Sequence, residues 1–596
     1  MCGIAGIYRH AGGAIDRQSL IAMRDAMAER GPDGFGIWQS SDQSVGLAHR
    51  RLAIIDLSDR GAQPMASQDG RLRIVFNGEI YNYRELRSTL ESSGCKFVTD
   101  SDTEVLLALY AHAGSGFVEK LRGMFAFALW DDERKGLLLG RDAFGIKPLY
   151  YANDSHGLRF ASQVKALLAG GEVDASPDPA GYVGYCIFGS VPEPFTLYRG
   201  IHALAAGTTL WIDRDGVEHG HAYWNLAGKL AASEITACSP NHEQLGLALQ
   251  DSVKHHMVSD VPVGVFLSAG LDSTMLAALA SAGNHSCAAI TLSFPEYDGT
   301  ENDELGFARE TARQFGMRHH VCRITRDEFQ AHADRLLCAM DQPTIDGVNS
   351  YFVSLAAREA GFKVALSGLG GDEWFAGYPS FRDVPRIAAL PQLPVIGRML
   401  RKLIAVPVSR FTSPKYASLL EYGGSFAGAY LLRRALHMPW EVDQLLEPGF
   451  AADGLRELHL HDRLEQTIAG IASDRLRVTA LELSWYMRNQ LLRDADWAGM
   501  AHSVEIRVPF VDTTFASRIS GYLSRPDAPG KRALAQSLPV VLPQPLLDRP
   551  KTGFSVPVRE WLIGDTPGSG SGRGLRQWSK LVLQRLAAGH AEVWAR

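Results

Sequence analysis

The second residue of this chain is a cysteine, in Met1-Cys2-Gly3-Ile4. Loss of the initiator methionine would leave one residue bearing both a thiol and an α-amine. An ordinary thiol titrates near ~8.5 and an α-amine near ~7.7–8, so the amine can accept the thiol proton and the nucleophile carries its own base. Four clusters follow: Arg30-Gly31-Pro32-Asp33, His49-Arg50-Arg51-Leu52, Asn77-Gly78-Glu79-Ile80 and Ser101-Asp102-Thr103-Glu104. A thiolate attacking the amide of an amino-acid substrate needs a cation for the α-carboxylate, an anion for the α-ammonium and donors for the oxyanion. Arg51, Asp102, and the Asn77 side chain with the Gly78 N–H have those properties. Singly, each cluster has a plainer reading. Asn-Gly is usually a hairpin turn, Ser101 to Glu104 has the spacing of a capping box, and an arginine beside an apolar run usually ends a solvated strand.

A second set lies past the middle of the chain. An apolar run enters Leu267-Ser268-Ala269-Gly270-Leu271-Asp272-Ser273-Thr274, and a helix is expected from about Ser273. Such a strand–loop–helix junction binds phosphate oxygens through backbone N–H groups and the helix dipole. Ser268 and Ser273 add hydroxyls, and Asp272 suits a Mg²⁺ bridging phosphates. An ordinary strand-to-helix turn explains Gly270 but not the whole set. The Gly-Lys-Ser/Thr of a Walker A loop is absent. Another apolar strand runs into Ser367-Gly368-Leu369-Gly370-Gly371-Asp372-Glu373, where Asp372 is the candidate second Mg²⁺ ligand. Ser367 and Gly368 would line a nucleotide site, and Ser293, at the end of its own strand, would touch adenine or ribose. Lys551, in Lys551-Thr552-Gly553-Phe554, would stabilise negative charge on a departing pyrophosphate.

These residues need two kinds of scaffold. Residues 1 to about 220 hold short apolar runs (45–48, 52–55, 72–76, 124–129, 136–139 and 149–151) broken by Gly, Asp and Asn, with helical patterns near 18–29 and 103–113. They read as stacked sheets flanked by helices. Residues 225–243 have no clear period and read as a linker. From about 245, apolar runs alternate with helical patterns at 274–282, 302–315 and 350–360, which predicts a parallel sheet with helices on both faces. Residues 455–500 read as helical, Thr566 to Gly574 as a flexible linker and 575–588 as a short amphipathic helix. The expected domains are 2–220, 240–562 and a C-terminal 563–596.

With 596 residues, the chain is too long for one core. Sixty basic and 66 acidic residues leave a net charge of −6 without a basic block, which argues against a nucleic-acid partner. Seven scattered cysteines, none in a CxxC pair, fit reduced thiols in a cytoplasmic protein. No signal-peptide pattern appears, no apolar run approaches the ~20 residues of a membrane span, and no Cys/His zinc spacing occurs.

The N-terminal clusters, with Arg141-Asp142 and Gly145-Ile146-Lys147-Pro148-Leu149-Tyr150, closely resemble the class II glutamine amidotransferase domain, an N-terminal-nucleophile hydrolase of αββα sandwich form. The Ser268–Thr274 set resembles the pyrophosphate loop of ATP pyrophosphatases, with Ala269 where a second Gly is usual. In this order the two halves resemble asparagine synthetase of the glutamine-hydrolysing type across residues 2–562. The resemblance implies that the second half is an α/β parallel-sheet domain of the adenine-nucleotide α-hydrolase type. It implies Cys2, Asn77, Gly78 and Lys551 as catalytic residues, and Arg51, Asn77, Gly78, Glu79 and Asp102 as the glutamine site. ATP would meet Leu267, Ser268, Gly270, Asp272, Ser273, Ser293, Ser367 and Gly368, with Mg²⁺ on Asp272 and Asp372. Glutamine, ATP and a carboxylate, aspartate by default, would be the partners, ammonia would travel an internal channel, and a homodimer is common in the family. Arg493-Asp494-Ala495-Asp496 and Glu505 to Asp512 also match; ion pairs anchoring helices explain them as well as substrate contacts do.

Three positions depart from the family. Leu369, Gln163 and Gln342 stand where glutamate is common, and the first of those glutamates is assigned a base role. Either a neighbour such as Glu373 takes that role, or the acceptor is a carboxylate other than aspartate.

Overall fold

The computed structural model describes residues 2–283, 287–408, 413–549, 557, 561, 573–587, 589, 590, 593 and 594. In its first part run β1 (Gly3–Tyr8), β2 (Gly34–Gln39), β3 (Val45–Arg51), β4 (Met65–Ala66), β5 (Leu72–Ile80), β6 (Gly123–Asp131), β7 (Gly136–Arg141), β8 (Tyr150–Asp154), β9 (Gly157–Ala161), β10 (His202–Ala203), β11 (Thr208–Ile212) and β12 (Glu218–Ala222). They form two six-stranded sheets, ordered β10-β8-β9-β1-β3-β2 and β12-β11-β7-β6-β5-β4. Ile4, Val45 and Leu47 of one sheet meet Val75, Ala126, Ala128 and Leu139 of the other in a shared core. Helices Arg17–Asp25 and Val164–Gly170 cover the outer face of the first sheet, and Tyr83–Ser92 and Asp102–Ala113 flank the second. The result is the expected αββα sandwich. Central strands buried on both faces, such as β6, read as continuous apolar runs.

The second part is built on β13 (Val263–Phe266), β14 (Ala288–Ser293), β15 (Arg318–Arg323), β16 (Val364–Leu366) and β17 (Glu505–Arg507). All pairs are parallel, in the order β15-β14-β13-β16-β17. The chain winds outward from β13 in one direction and returns through β16 in the other. The strand order therefore reverses between β13 and β16, where the carboxyl ends of an open α/β sheet leave a crevice.

Several expectations need correcting. Residues 52–55 form no strand: Leu52 and Ile54 are buried in a loop that crosses to the second domain, where the Asp260 N–H donates to Ile54 O at 3.0 Å. Apolar content there records burial without pairing. Helices Tyr83–Ser92, Val164–Gly170 and Pro179–Phe188 add to the two expected in the first part. The region 225–243 contains helix Leu226–Ile235, capped by Asn225, which accepts from the Gly228 N–H at 2.9 Å. Ser101 caps Asp102–Ala113, but Glu104 does not reach back to it; its carboxylate accepts from the Val98 and Thr99 N–H groups. Residues 566–572 lie outside the described residues, while Arg573 and Gly574 already belong to the C-terminal helix Arg573–Leu586. That helix packs back on the first part: Tyr185 donates its hydroxyl to Ser579 O at 2.8 Å.

Candidate functional site

The expected glutaminase residues converge at the carboxyl half of β5. The Cys2 N–H donates to Asn77 Oδ1 at 3.0 Å, so the Asn77 side chain is oriented by the nucleophile residue itself. That leaves Asn77 Nδ2 buried with no hydrogen-bond partner, a donor held beside the thiol. Next to it, Gly78 sits at φ 157°, and a Cβ there would lie 2.1 Å from Met124 O. Only glycine permits that strand to approach β6 so closely. Burial pushes the Cys2 thiol above its ordinary value, opposed by the positive amino terminus and by Arg51. A thiol so raised needs a proton acceptor beside it.

Asp102 begins its helix and accepts from the Ile80 N–H at 3.1 Å. Burial raises its carboxyl to about 6, with the Ile80 hydrogen bond opposing. Arg51 donates to Ser58 O at 2.7 Å and also to Asp56 O, so a loop of carbonyls orients its guanidinium. Glu79 shares the face of β5 with Asn77, two residues away. Its buried carboxylate lies 3.4 Å from Arg507 of the second domain, so it faces the interface as well as the thiol.

The two loops of the synthetase half meet across the switch point. Gly368 and Gly371 lie so near Asp272 that a Cβ on either would come within 2.9 Å of its side chain. Ser268 and Ser273 hydroxyls hydrogen-bond at 2.9 Å and shape the first loop, whose helix Leu271–Ala282 starts two residues earlier than expected. A cavity of about 430 Å³ is walled by Leu267, Ser268, Gly270, Asp272, Ser273, Ser367, Gly368 and Asp372, among others. Ser293 is not in that wall: its hydroxyl is buried without a hydrogen-bond partner, and Ile290 and Leu292 face the cavity from the same strand. Lys551 lies outside the described residues.

Lys531 is the residue the sequence hid. Its ammonium bridges Asp272 Oδ2 at 2.5 Å and the Asp372 carboxylate, joining the two loops. Burial would lower its pKa, but the two carboxylates hold it above its ordinary value. Gly530-Lys531-Arg532 carried no motif; only the distance to two acids more than 150 residues away marks it. The same pair of acids suits Mg²⁺, which takes one or two carboxylates plus substrate phosphates rather than an all-protein cage. Among the described residues, no group of three or more His, Cys, Asp or Glu side chains that could hold a metal ion occurs.

The matched ion-pair segments turn out to join the halves. Arg30 donates Nε to Cys2 O at 3.0 Å, and its two terminal nitrogens reach Asp496 at 2.7 and 3.2 Å. Asp496 lies on helix Arg493–Met500, whose neighbouring Ala495 lines the nucleotide cavity. Arg122 forks onto Asp512 at 2.8 and 3.0 Å. Arg507 is fully buried between Glu505 and Glu79. Gln342 is not in the cavity wall either; its side-chain oxygen accepts from the Leu197 N–H at 3.0 Å across the interface. Gln163 lines a small interface cavity with Arg30 and Trp497. Of the three departures, only Leu369 faces the nucleotide cavity.

An N-terminal-nucleophile glutaminase sandwich docked on a parallel-sheet nucleotide domain defines a glutamine-dependent amidotransferase with an ATP-using synthetase half. Comparison with known proteins agrees: the family described as "Glutamine amidotransferase domain" matches residues 1–224, and "Asparagine synthase" matches 244–578. Asparagine synthetase [glutamine-hydrolyzing] 1 of Bacillus subtilis is 33% identical, over 98% of this chain and 90% of its own length. A putative asparagine synthetase [glutamine-hydrolyzing] of Mycobacterium tuberculosis is 34% identical, over 99% and 91%. Amidase chry2 of Gibberella zeae is 32% identical over 64% of this chain and 60% of its own length. The chain belongs to the glutamine-hydrolysing asparagine synthetase family. No described helix is long and apolar enough to cross a membrane.

Proposed function

We propose that this chain hydrolyses glutamine at Cys2 and transfers the ammonia to a carboxylic acid adenylated in the cavity between the Ser268–Ser273 and Ser367–Asp372 loops. The carrying observation is helix Arg493–Met500: Ala495 lines the nucleotide cavity while Asp496 grips the arginine bonded to Cys2. Cys2 and a nucleotide loop that begins 266 residues later, at Ser268, are linked through this one element.

In this reading the α-amine of a processed Cys2 takes the thiol proton, and the thiolate attacks the glutamine amide carbon. The oxyanion accepts from Asn77 Nδ2 and the Gly78 N–H. Ammonia leaves with the proton, and water then cleaves the thioester to glutamate. Arg51 holds the α-carboxylate and Asp102 the α-ammonium. In the second half the acceptor carboxylate attacks the α-phosphorus of ATP and expels pyrophosphate. Ammonia then attacks the acyl carbon, AMP leaves, and an amide remains. Ser268, Gly270, Ser273, Ser367 and Gly368 hold the phosphates, with Lys531 and Lys551 as cations for the leaving group. Asp272 and Asp372 would hold Mg²⁺, whose charge offsets that of the phosphates when bound. Ammonia passes through the buried interface beside Arg30 and Lys147, where bulk water cannot protonate and disperse it. Aspartate is the default acceptor. A second reading, the same chemistry on another carboxylic acid, is favoured by Leu369, which places an apolar side chain on the cavity wall.

The test is glutamine-dependent release of AMP and pyrophosphate in the presence of an acceptor. Glutamine hydrolysis with no carboxylic acid ever releasing pyrophosphate would refute the synthetase half.

A further inference from the structure

Helix Pro394–Val408 is mounted the opposite way from an ordinary surface helix. Its inward side is small and polar. A Cβ on Gly397 would lie 2.5 Å from Glu421 N, so the helix backbone presses on the chain there. Arg401 is buried on that side: it donates to the Glu421 carboxylate at 2.7 Å and lies over the Trp440 ring at 4.4 Å. The outward side is apolar. Val395 is 72% exposed, Met399 66% and Leu403 76%, and Ile396 and Leu400 are exposed beside them. Their spacing of i, i+1, i+4, i+5 and i+8 puts all five on one stripe. Leu390 and Leu393, just before the helix, are exposed as well. A contiguous apolar stripe of this kind is unfavourable in water and marks a surface that something else covers.

The charge around the stripe selects the occupant. Residues 384–420 hold six basic side chains and no acid, in a chain whose net charge is −6. Arg398 and Lys402 are exposed on the helix that carries the stripe. Glu421, the first acid after this stretch, is shared by Arg401 and, at 3.8 Å, by Arg398, so one carboxylate answers two guanidiniums. A second copy seated by two-fold symmetry would bring two such basic edges together, and like charges oppose that. An anionic bilayer meets both demands. The stripe enters the boundary between headgroups and acyl chains, and the long basic side chains reach the headgroups. With 15 residues the helix is too short to cross a bilayer and would lie along its surface.

We propose that helix Pro394–Val408 seats this chain on anionic lipid surfaces, with Val395, Met399 and Leu403 in the acyl boundary and Arg398 and Lys402 on the headgroups. The test is sedimentation of the full chain with two kinds of vesicle: phosphatidylcholine alone, and phosphatidylcholine with phosphatidylglycerol in equal parts. Partition onto the anionic vesicles should exceed that onto the neutral ones at least tenfold, and should fall as salt rises. Met399→Asp combined with Leu403→Asp should lower it at least tenfold, and so should Arg398→Glu combined with Lys402→Glu. All four side chains are exposed, and an unchanged thermal melt checks that each variant keeps its fold. The wild-type comparison of the two vesicles decides the matter even where a variant melts early. No sedimentation with anionic vesicles, or equal sedimentation with neutral ones, overturns the proposal, and so does binding that survives both folded variants. Self-association without vesicle binding, abolished by Met399→Asp with Leu403→Asp, overturns it in favour of a second copy. None of these outcomes touches the amidotransferase reading, which rests on other residues.

Discussion

At Cys2 the physical demand is narrow: a buried thiol must lose a proton, and the oxyanion it creates must find donors already in place. In the proposed mechanism the orphaned Asn77 Nδ2 meets the second demand without reorganisation, because its partner oxygen is already held by the Cys2 N–H. Asn77→Ala is expected to lower glutaminase kcat by about 10²–10³-fold, the cost of one oxyanion donor, with a smaller effect on KM. Steady-state kinetics of glutamate formation measure it. As the proposed partner of the glutamine α-ammonium, Asp102 would set a pH dependence. Its carboxyl titrates at about 6 because of burial, and only the ionised form attracts an α-ammonium. Glutamine KM should therefore be flat above pH 6 and rise by ~tenfold per pH unit below it. A flat KM down to pH 5 would remove Asp102 from the glutamine site.

At the scale of elements, β5 does more than carry residues. Its glycine lets it close on β6, and Gly78→Ala would force Cβ against Met124 O at 2.1 Å. The strand must then move, and the Gly78 N–H with it; loss of glutamine hydrolysis is expected while ammonia-dependent amide formation persists. Helix Arg493–Met500 is the other decisive element. The Arg30–Asp496 pair is buried on both sides, so removing one partner strands a charge. Asp496→Ala should destabilise the protein by about 3–5 kcal/mol, and Arg30→Met combined with Asp496→Leu by much less than the sum of the single changes. Thermal melts of the wild type, Asp496→Ala, Arg30→Met, Asp496→Leu and the double variant provide the comparison.

For the whole molecule, the interface matters because the product of one site is the reactant of the other. Cys2→Ala should abolish glutamine-dependent product yet retain ammonia-dependent product, with unchanged ATP dependence. Loss of both activities would give Cys2 a structural part instead. The buried pairs Arg30–Asp496, Arg122–Asp512 and Arg507–Glu79 tie sandwich to parallel sheet at three places. The C-terminal helix adds a fourth, through Tyr185 and Ser579.

The candidate residues that the fold brings together around Cys2 and Asp272 were legible in the chain itself. A cysteine at position 2, an Asn-Gly on an apolar strand and serine-rich loops after apolar runs are local patterns, and local backbone physics makes their strands, turns and helix starts. What depended on residues far apart in sequence was not legible. Lys531 bridges acids from two loops, Glu79 faces Arg507, Gln342 spans the interface, and Ser293 is not in the cavity wall. Periodicity shows that a side chain is buried but not what it is buried against. Only the folded arrangement of two sheets, with a strand reversal between β13 and β16, decides which charges meet.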